Sequence, residues 1–292
     1  MSRRTKINTI TRTCYGAYLQ TLQLLDLPYT EILHTTLNEK FNINNGVIVP
    51  AGETPFLQYV GIGNGGHSMV IGANNVAVPQ PVQHLPTDAA LYNQLPFVLR
   101  LPSNDLTLAE QAGYRLRTLV SYGGISYVAY YLKTLNLLNT EGGITSNVPS
   151  MMYNTVSSGT VTATSFTPSA ANLNPTPPST STTGVVSTTG DYIAATAKVP
   201  FVMTTFDITE FLNVANIIYG DPSYAIISEI ALCSGLDYST TATFNGVSQT
   251  YTDAIAVQVM TFISSFYAAQ FTNSGINLLM DVGAVEPLFA LS

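Results

Sequence analysis

The chain of 292 residues is long enough for one large or two ordinary domains, and its 46% hydrophobic side chains provide for an ample core. Only 9% of its residues are charged, against roughly 25% in a typical soluble domain. No apolar run reaches the ~20 residues that a membrane-spanning helix needs. The net charge of −7 is unevenly spread, because Arg3, Arg4, Lys6 and Arg12 lie in the first dozen positions and Lys198 is the single base after Lys133. The C-terminal half therefore lacks the basic face that phosphate recognition requires.

In chain order, residues 1–15 read as a basic, solvated N-terminal arm without the apolar core of a secretory signal. Leu19, Leu22 and Leu25 share one helical face up to the break at Leu27-Pro28, and Ile32, Leu33 and Leu37 resume that spacing as far as Phe41. Two short helices are expected. Asn44–Gly46 signals a turn, Val47–Val49 a short strand and Phe56–Val60 another. The second strand runs into GIGNGGH, where Gly61, Gly63 and Gly66 formally satisfy a dinucleotide fingerprint. That fingerprint must open a helix, so that pyrophosphate sits on the helix N-terminus. The following residues carry Gly72, Pro79 and Pro81 instead, so the expectation is a glycine turn between strands. His67 and His84 lack a third metal ligand at a suitable spacing, and His34 is placed on a helix face. Cys14 and Cys233 are read as buried thiols without a disulfide framework. A further helical turn or two is expected across Ala89–Leu95, ending at Pro96.

Thr107 and Glu110 have capping-box spacing, so a short helix begins there and ends at Gly113. Tyr114–Ser121 and Ile125–Lys133 then form antiparallel strands around Tyr122-Gly123-Gly124. In the second strand Tyr127 and Tyr131 face one side and Val128, Tyr130 and Leu132 the other, so both faces call for cover by a core or an interface. Arg115 and Arg117 share a side and are expected to reach Asp105, Glu110 or a neighbouring chain as structural ion pairs. About half of residues 157–190 are Ser or Thr, a composition that buries too little apolar area to offset ordering entropy. Residues 142–198 are therefore read as an extended low-complexity insertion. Beyond it, Asp207–Glu210 looks like the capped start of a helix that Gly220 closes. Tyr224–Cys233 and Ala254–Phe271 lean towards strand on either side of Asn245-Gly246, and Leu288 and Phe289 look able to dock on a partner. The fold class expected is α+β and β-rich, with mixed or antiparallel sheets and short N-terminal helices. Residues 16–141 and 199–292 together form one mixed body, interrupted by the long irregular Ser/Thr/Pro-rich insertion.

Nothing here has catalytic spacing, and no catalytic, cofactor or metal residue is assigned. Interface cores are depleted in Lys, Glu and Asp and enriched in aromatic residues, and the chain has 17 tyrosines and no tryptophan. That profile suits a protein covered by neighbours, with Arg100, Arg115, Arg117, Tyr127, Tyr130, Tyr131, Leu288 and Phe289 as interface candidates. GIGNGGH, LPFVLRLPSNDLTLAEQAGYRLR, YVAYYLK, ISEIALCSG and VGAVEPLF, taken in order, resemble the structural proteins of tailed bacteriophages. The resemblance implies a non-enzymatic homo-oligomeric part of the tail, baseplate or neck. Its partners would be copies of itself and other phage virion proteins, with no cofactor, small-molecule substrate or membrane, and it would reside in the virion after assembly in the host cytoplasm. The alternatives are a capsid or capsid-decoration protein and, less favoured, a nucleotide-binding enzyme built on Gly61–Gly66.

Overall fold

A computed structural model describes residues 9–72, 75–135, 137, 148–175, 186–244, 246–269 and 275–291. The chain is β-rich α+β, and the strand registers resolved in it are antiparallel. It divides into two compact units, Met1–Leu135 with Met203–Ile276, and Asn136–Val202 with Asn277–Ser292.

The first unit opens with strand β1 (Thr9–Arg12) and helix α1 (Cys14–Leu24). The expected solvated arm is thus corrected for residues 9–15, because β1 pairs with a central strand, Ile10 opposite Ile263. Thr13 caps α1 by accepting the Gly16 N–H at 3.0 Å, while its hydroxyl donates to the Val259 carbonyl at 2.6 Å. Gly16 lets the helix lie close on the sheet, since a Cβ there would stand 2.8 Å from the Met260 carbonyl oxygen. Leu19 and Leu22 are buried as expected, but Leu25 is 60% exposed, because the helix stops at Leu24 and Asp26 takes a left-handed φ. Helix α2 (Leu37–Phe41) begins only after the Thr36 cap, which leaves Ile32 and Leu33 outside it and His34 in a left-handed turn rather than on a helix face. Residues 47–49 form no strand.

The remaining strands of this unit are β2 (Phe56–Gly63), β3 (His67–Ile71), β4 (Ala77–Pro81), β5 (Gln94–Leu95) and β6 (Val98–Arg100). Helix α3 (Leu108–Gln111) carries the expected capping box, in which Thr107 and Glu110 bond reciprocally. It leads into the hairpin β7 (Tyr114–Tyr122) and β8 (Ile125–Thr134). Ala89–Leu95 is not helical: a turn at Tyr92-Asn93 leads into β5, and the amides of these two residues serve a buried carboxylate described below.

The second unit contains β9 (Ser150–Ser157), β10 (Thr160–Ser165) and β11 (Val186–Met203). The chain then returns to the first unit as helix α4 (Thr205–Tyr219), β12 (Ile226–Phe244) and β13 (Val247–Ala268), and closes with β14 (Ile276–Leu291). An eight-stranded sheet is ordered β1-β13-β12-β2-β8-β6, with β5 beside β2 and β7 beside β8. The stretch of β12 from Ile227 to Leu236 is covered on both faces, whereas from Asp237 to Thr243 its residues alternate in exposure. β8 is buried on both faces only from Val128 to Leu132, since Ile125 is 50% exposed. The cap of α4 is Thr204, with Asp207 at its third position, so the helix starts before the Asp207 expected from sequence. Thr204→Ala is expected to lower stability by about 1 kcal/mol, seen as a shifted urea midpoint at unchanged slope.

The irregular insertion is also corrected. β9 and β10 form a hairpin whose turn, Ser158-Gly159, has positive φ at both positions, the geometry of a two-residue turn that matches strand twist. A four-stranded sheet follows in the order β10-β9-β11-β14. Ser and Thr here build strands, because backbone pairing can order a polar segment when a few apolar positions, among them Val199, Phe201 and Met280, are buried. The grouping of 199–292 with the main body changes too, since residues 277–292 belong with the second unit through β14.

Candidate functional site

The basic residues of 95–133 pair with carboxylates of the same unit. Arg100 clasps Glu210 on α4 with two bonds, Nε to Oε2 at 3.0 Å and Nη2 to Oε1 at 2.7 Å. Arg115 grips Asp237 at 2.8 and 3.1 Å and also donates to the carbonyls of Ala112 and Tyr114. Arg117 bonds Asp105 at 2.6 Å and the Thr243 carbonyl at 2.9 Å, and its guanidinium lies 4.4 Å from the centre of the Phe244 ring. Lys133 donates to both oxygens of Asp207, at 2.9 and 3.2 Å. Arg117 thus meets the expected Asp105, while Arg115 reaches Asp237 instead. Between them Leu116 adopts φ 53 and gives its N–H to the buried Asp253, which breaks the β7–β8 register at that point.

Tyr130 is fully buried with its hydroxyl 2.7 Å from Asp105, and Tyr131 is buried with its ring stacked 4.0 Å from Phe41. These two tyrosines and the three arginines, offered by the sequence as interface candidates, are therefore engaged within the first unit. Tyr127 remains half-buried and lines an open groove of about 410 Å³ with Leu101, Ile125 and Ile217. Leu288 is half-buried on β14, and the side chain of Phe289 lies outside the described residues.

The most elaborate cluster surrounds Glu229 on β12, a residue not singled out from sequence. Its carboxylate is fully buried and accepts the N–H groups of Gly65 at 2.9 Å, Asn93 at 2.8 Å and Tyr92 at 3.0 Å. Its fourth donor is His84 Nε2 at 2.8 Å. The other ring nitrogen, Nδ1, faces Asp88 at 3.0 Å, and the imidazole is sandwiched between Tyr92 and Phe262 with both ring centres 3.9 Å away. Burial pushes the Glu229 carboxyl up, but the bonds from His84, Asn93, Tyr92 and Gly65 outweigh it and hold the group below its ordinary range.

This cluster accounts for Gly63, Gly65 and Gly66, whereas a Cβ on Gly61 would face the Gln94 side chain at 3.0 Å. A Cβ on Gly63 would stand 2.5 Å from Glu229 Oε1, one on Gly65 3.0 Å from the same atom, and one on Gly66 2.8 Å from the Glu229 Cβ. The loop is a turn between β2 and β3, as expected, and its glycines make room for the protein's own carboxylate. A phosphate would meet that negative charge where a nucleotide site offers free amides. His84 is held between two carboxylates, and Cys14, expected to be buried, is exposed, while Cys233 is buried.

Three strands leave uncharged surface exposed. β3 and β4 form a separate two-stranded ribbon with Met69, Val70, Ile71 and Val78 exposed, and β10 is exposed at every position; none of these three strands contains Asp, Glu, Lys or Arg. Among the described residues no helix is long and apolar enough to cross a membrane.

The fold and its surfaces define a β-rich chain braced by internal charges and presenting uncharged strands. The chain belongs to a family of unknown function, DUF7208, which matches it over residues 1–292. No curated protein and no solved structure matches it.

Proposed function

We propose that this chain is a structural component of a tailed bacteriophage virion, in the tail, baseplate or neck, that works by assembling with copies of itself and with neighbouring virion proteins. The observation that carries the reading is the division of labour between its polar groups. Arg100, Arg115, Arg117 and Lys133 are spent on internal ion pairs, while the ribbon β3–β4 and the strand β10 stand in solvent without charge. Large uncharged or apolar exposed surface suits contact with other chains. The motif resemblance supplies the virion context, and its motifs serve as internal turns and braces rather than as a reaction centre.

Mass photometry of the purified protein tests the assembly step: discrete multiples of the 31.3 kDa chain are expected. A stable monomer that binds a nucleotide would overturn the reading. Cryo-electron microscopy of purified virions then locates the chain, with density in the tail, baseplate or neck as the expected result and density on the capsid as the result that reassigns it to the shell.

A further inference from the structure

β10 is one edge of the four-stranded sheet, and among the described residues only β9 pairs with it. The two edges of that sheet are built differently. β14, at the far edge, carries Asp281, Glu286 and Pro287, the residue types that discourage strand addition. β10 reads TVTATS, with no charge and no proline, and all six residues are exposed. An edge of this kind is a template for another strand.

The register fixes which backbone groups are free. Thr160 lies opposite Ser157 and Ser165 opposite Met152, and the Phe166 N–H bonds the Met151 carbonyl at 2.9 Å. Bonded and non-bonded pairs alternate along an antiparallel ladder, so Thr160, Thr162 and Thr164 direct their backbone groups to β9. Val156, which opposes Val161, agrees with that alternation, since its N–H points away from β10 to Asp191 Oδ1 at 2.8 Å. Val161, Ala163 and Ser165 therefore turn their N–H and C=O groups outward.

We infer that this edge joins two copies of the chain through antiparallel pairing of β10 with itself, centred on Ala163. The inference rests on the reading of the chain as a self-assembling component and names one of its contacts. In this register Ala163 opposes Ala163 of the second copy, and Val161 opposes its Ser165. Every outward group then finds a partner in a fully bonded pair. On the alternate face Thr162 opposes Thr164 of the second copy, a favourable cross-strand pair. Because no side chain of the strand is charged, a copy meets no like charge along it, although the whole chain carries −7. A twofold pairing of this kind closes on itself and ends at a dimer.

Two variants of the full chain test it. Ala163→Pro removes the outward N–H and leaves the β9 ladder intact, because proline is tolerated where the missing donor faces solvent. It is expected to weaken self-association about tenfold or more in sedimentation velocity, with an unchanged thermal melt. The second variant is Ala163→Cys in a Cys14→Ser background. Residues opposed in a bonded pair have Cα atoms about 5.5 Å apart, within disulfide range, so mild oxidation should yield a dimer on a non-reducing gel. Thr160→Cys in the same background should stay uncross-linked, since its two copies would lie roughly 20 Å apart. If the wild type assembles but Ala163→Pro assembles equally well and Ala163→Cys cross-links no better than Thr160→Cys, the edge is not a contact and the assembly reading stands. If the wild type remains monomeric at every concentration, both readings fail together.

Discussion

Replacing Glu229 by alanine is expected to cost about 3–5 kcal/mol of folding stability, the loss typical of breaking a buried charged pair from one side. The substitution strands the amides of Gly65, Tyr92 and Asn93 together with His84 Nε2, all of which now end on the carboxylate. Buried donors left without acceptors carry their full desolvation penalty. Gly66→Ala attacks the same packing from the opposite side, because the new Cβ would stand 2.4 Å from the Ser228 carbonyl oxygen and 2.8 Å from the Glu229 Cβ. Urea denaturation monitored by circular dichroism measures both losses. A loss under about 1 kcal/mol for Glu229→Ala, the scale of a single ordinary hydrogen bond, would mean that the cluster does not brace the fold.

The same carboxylate gives a pH signature. Its folded value lies below the ordinary glutamate range, so its contribution to stability is fully present above that ordinary value and is lost as pH falls through the lowered one. Acidification should therefore destabilise the wild type through Glu229, and Glu229→Gln should remove that part of the acid slope. The comparison is a pair of denaturation series run from neutral pH downwards. Equal slopes in the two proteins would contradict the assignment.

How much of this was legible in the sequence depends on how local the signal is. The Thr107–Glu110 capping box and the β7–β8 hairpin around Gly123-Gly124 were readable, because caps and two-residue turns are set by neighbouring residues. The helix anticipated over Ala89–Leu95 was not formed, since Tyr92 and Asn93 supply amides to a glutamate more than a hundred positions away. Glu229 itself left a trace. It is the only charged residue between Asp221 and Asp237, inside a mostly apolar buried stretch, and such a group must find partners or be neutralised. The glycine motif gave the complementary trace, a loop stripped of side chains, but sequence does not say what fills the space. Ser/Thr composition misled over residues 150–165, where alternation of exposed and paired backbone sufficed for a hairpin.

The second large effect is expected at Asp105, and it separates an internal brace from a surface contact. Asp105 is fully buried, accepts the Arg117 Nη2 at 2.6 Å and Nε at 3.2 Å on one oxygen, and accepts the Tyr130 hydroxyl and the Leu106 N–H, both at 2.7 Å, on the other. Burial and the neighbouring carboxylate push the Tyr130 phenol up, which keeps it a donor. Asp105→Ala leaves the Arg117 cation, 9% exposed, without its carboxylate, beside the Thr243 carbonyl and the Phe244 and Tyr251 rings, and is expected to cost about 3–5 kcal/mol. Arg117→Met removes the cation while keeping an apolar stem over Phe244, and Asp105 retains Tyr130 and the Leu106 amide, so the loss should be smaller. The double variant should then fall short of the summed losses by roughly 0.5–3 kcal/mol, the range for directly coupled groups. Additive losses in urea denaturation would show that the two side chains act independently. A pair that couples in folding while Arg117→Met leaves the self-association of the chain unchanged places this arginine inside the fold, and leaves contact between copies to the uncharged strands.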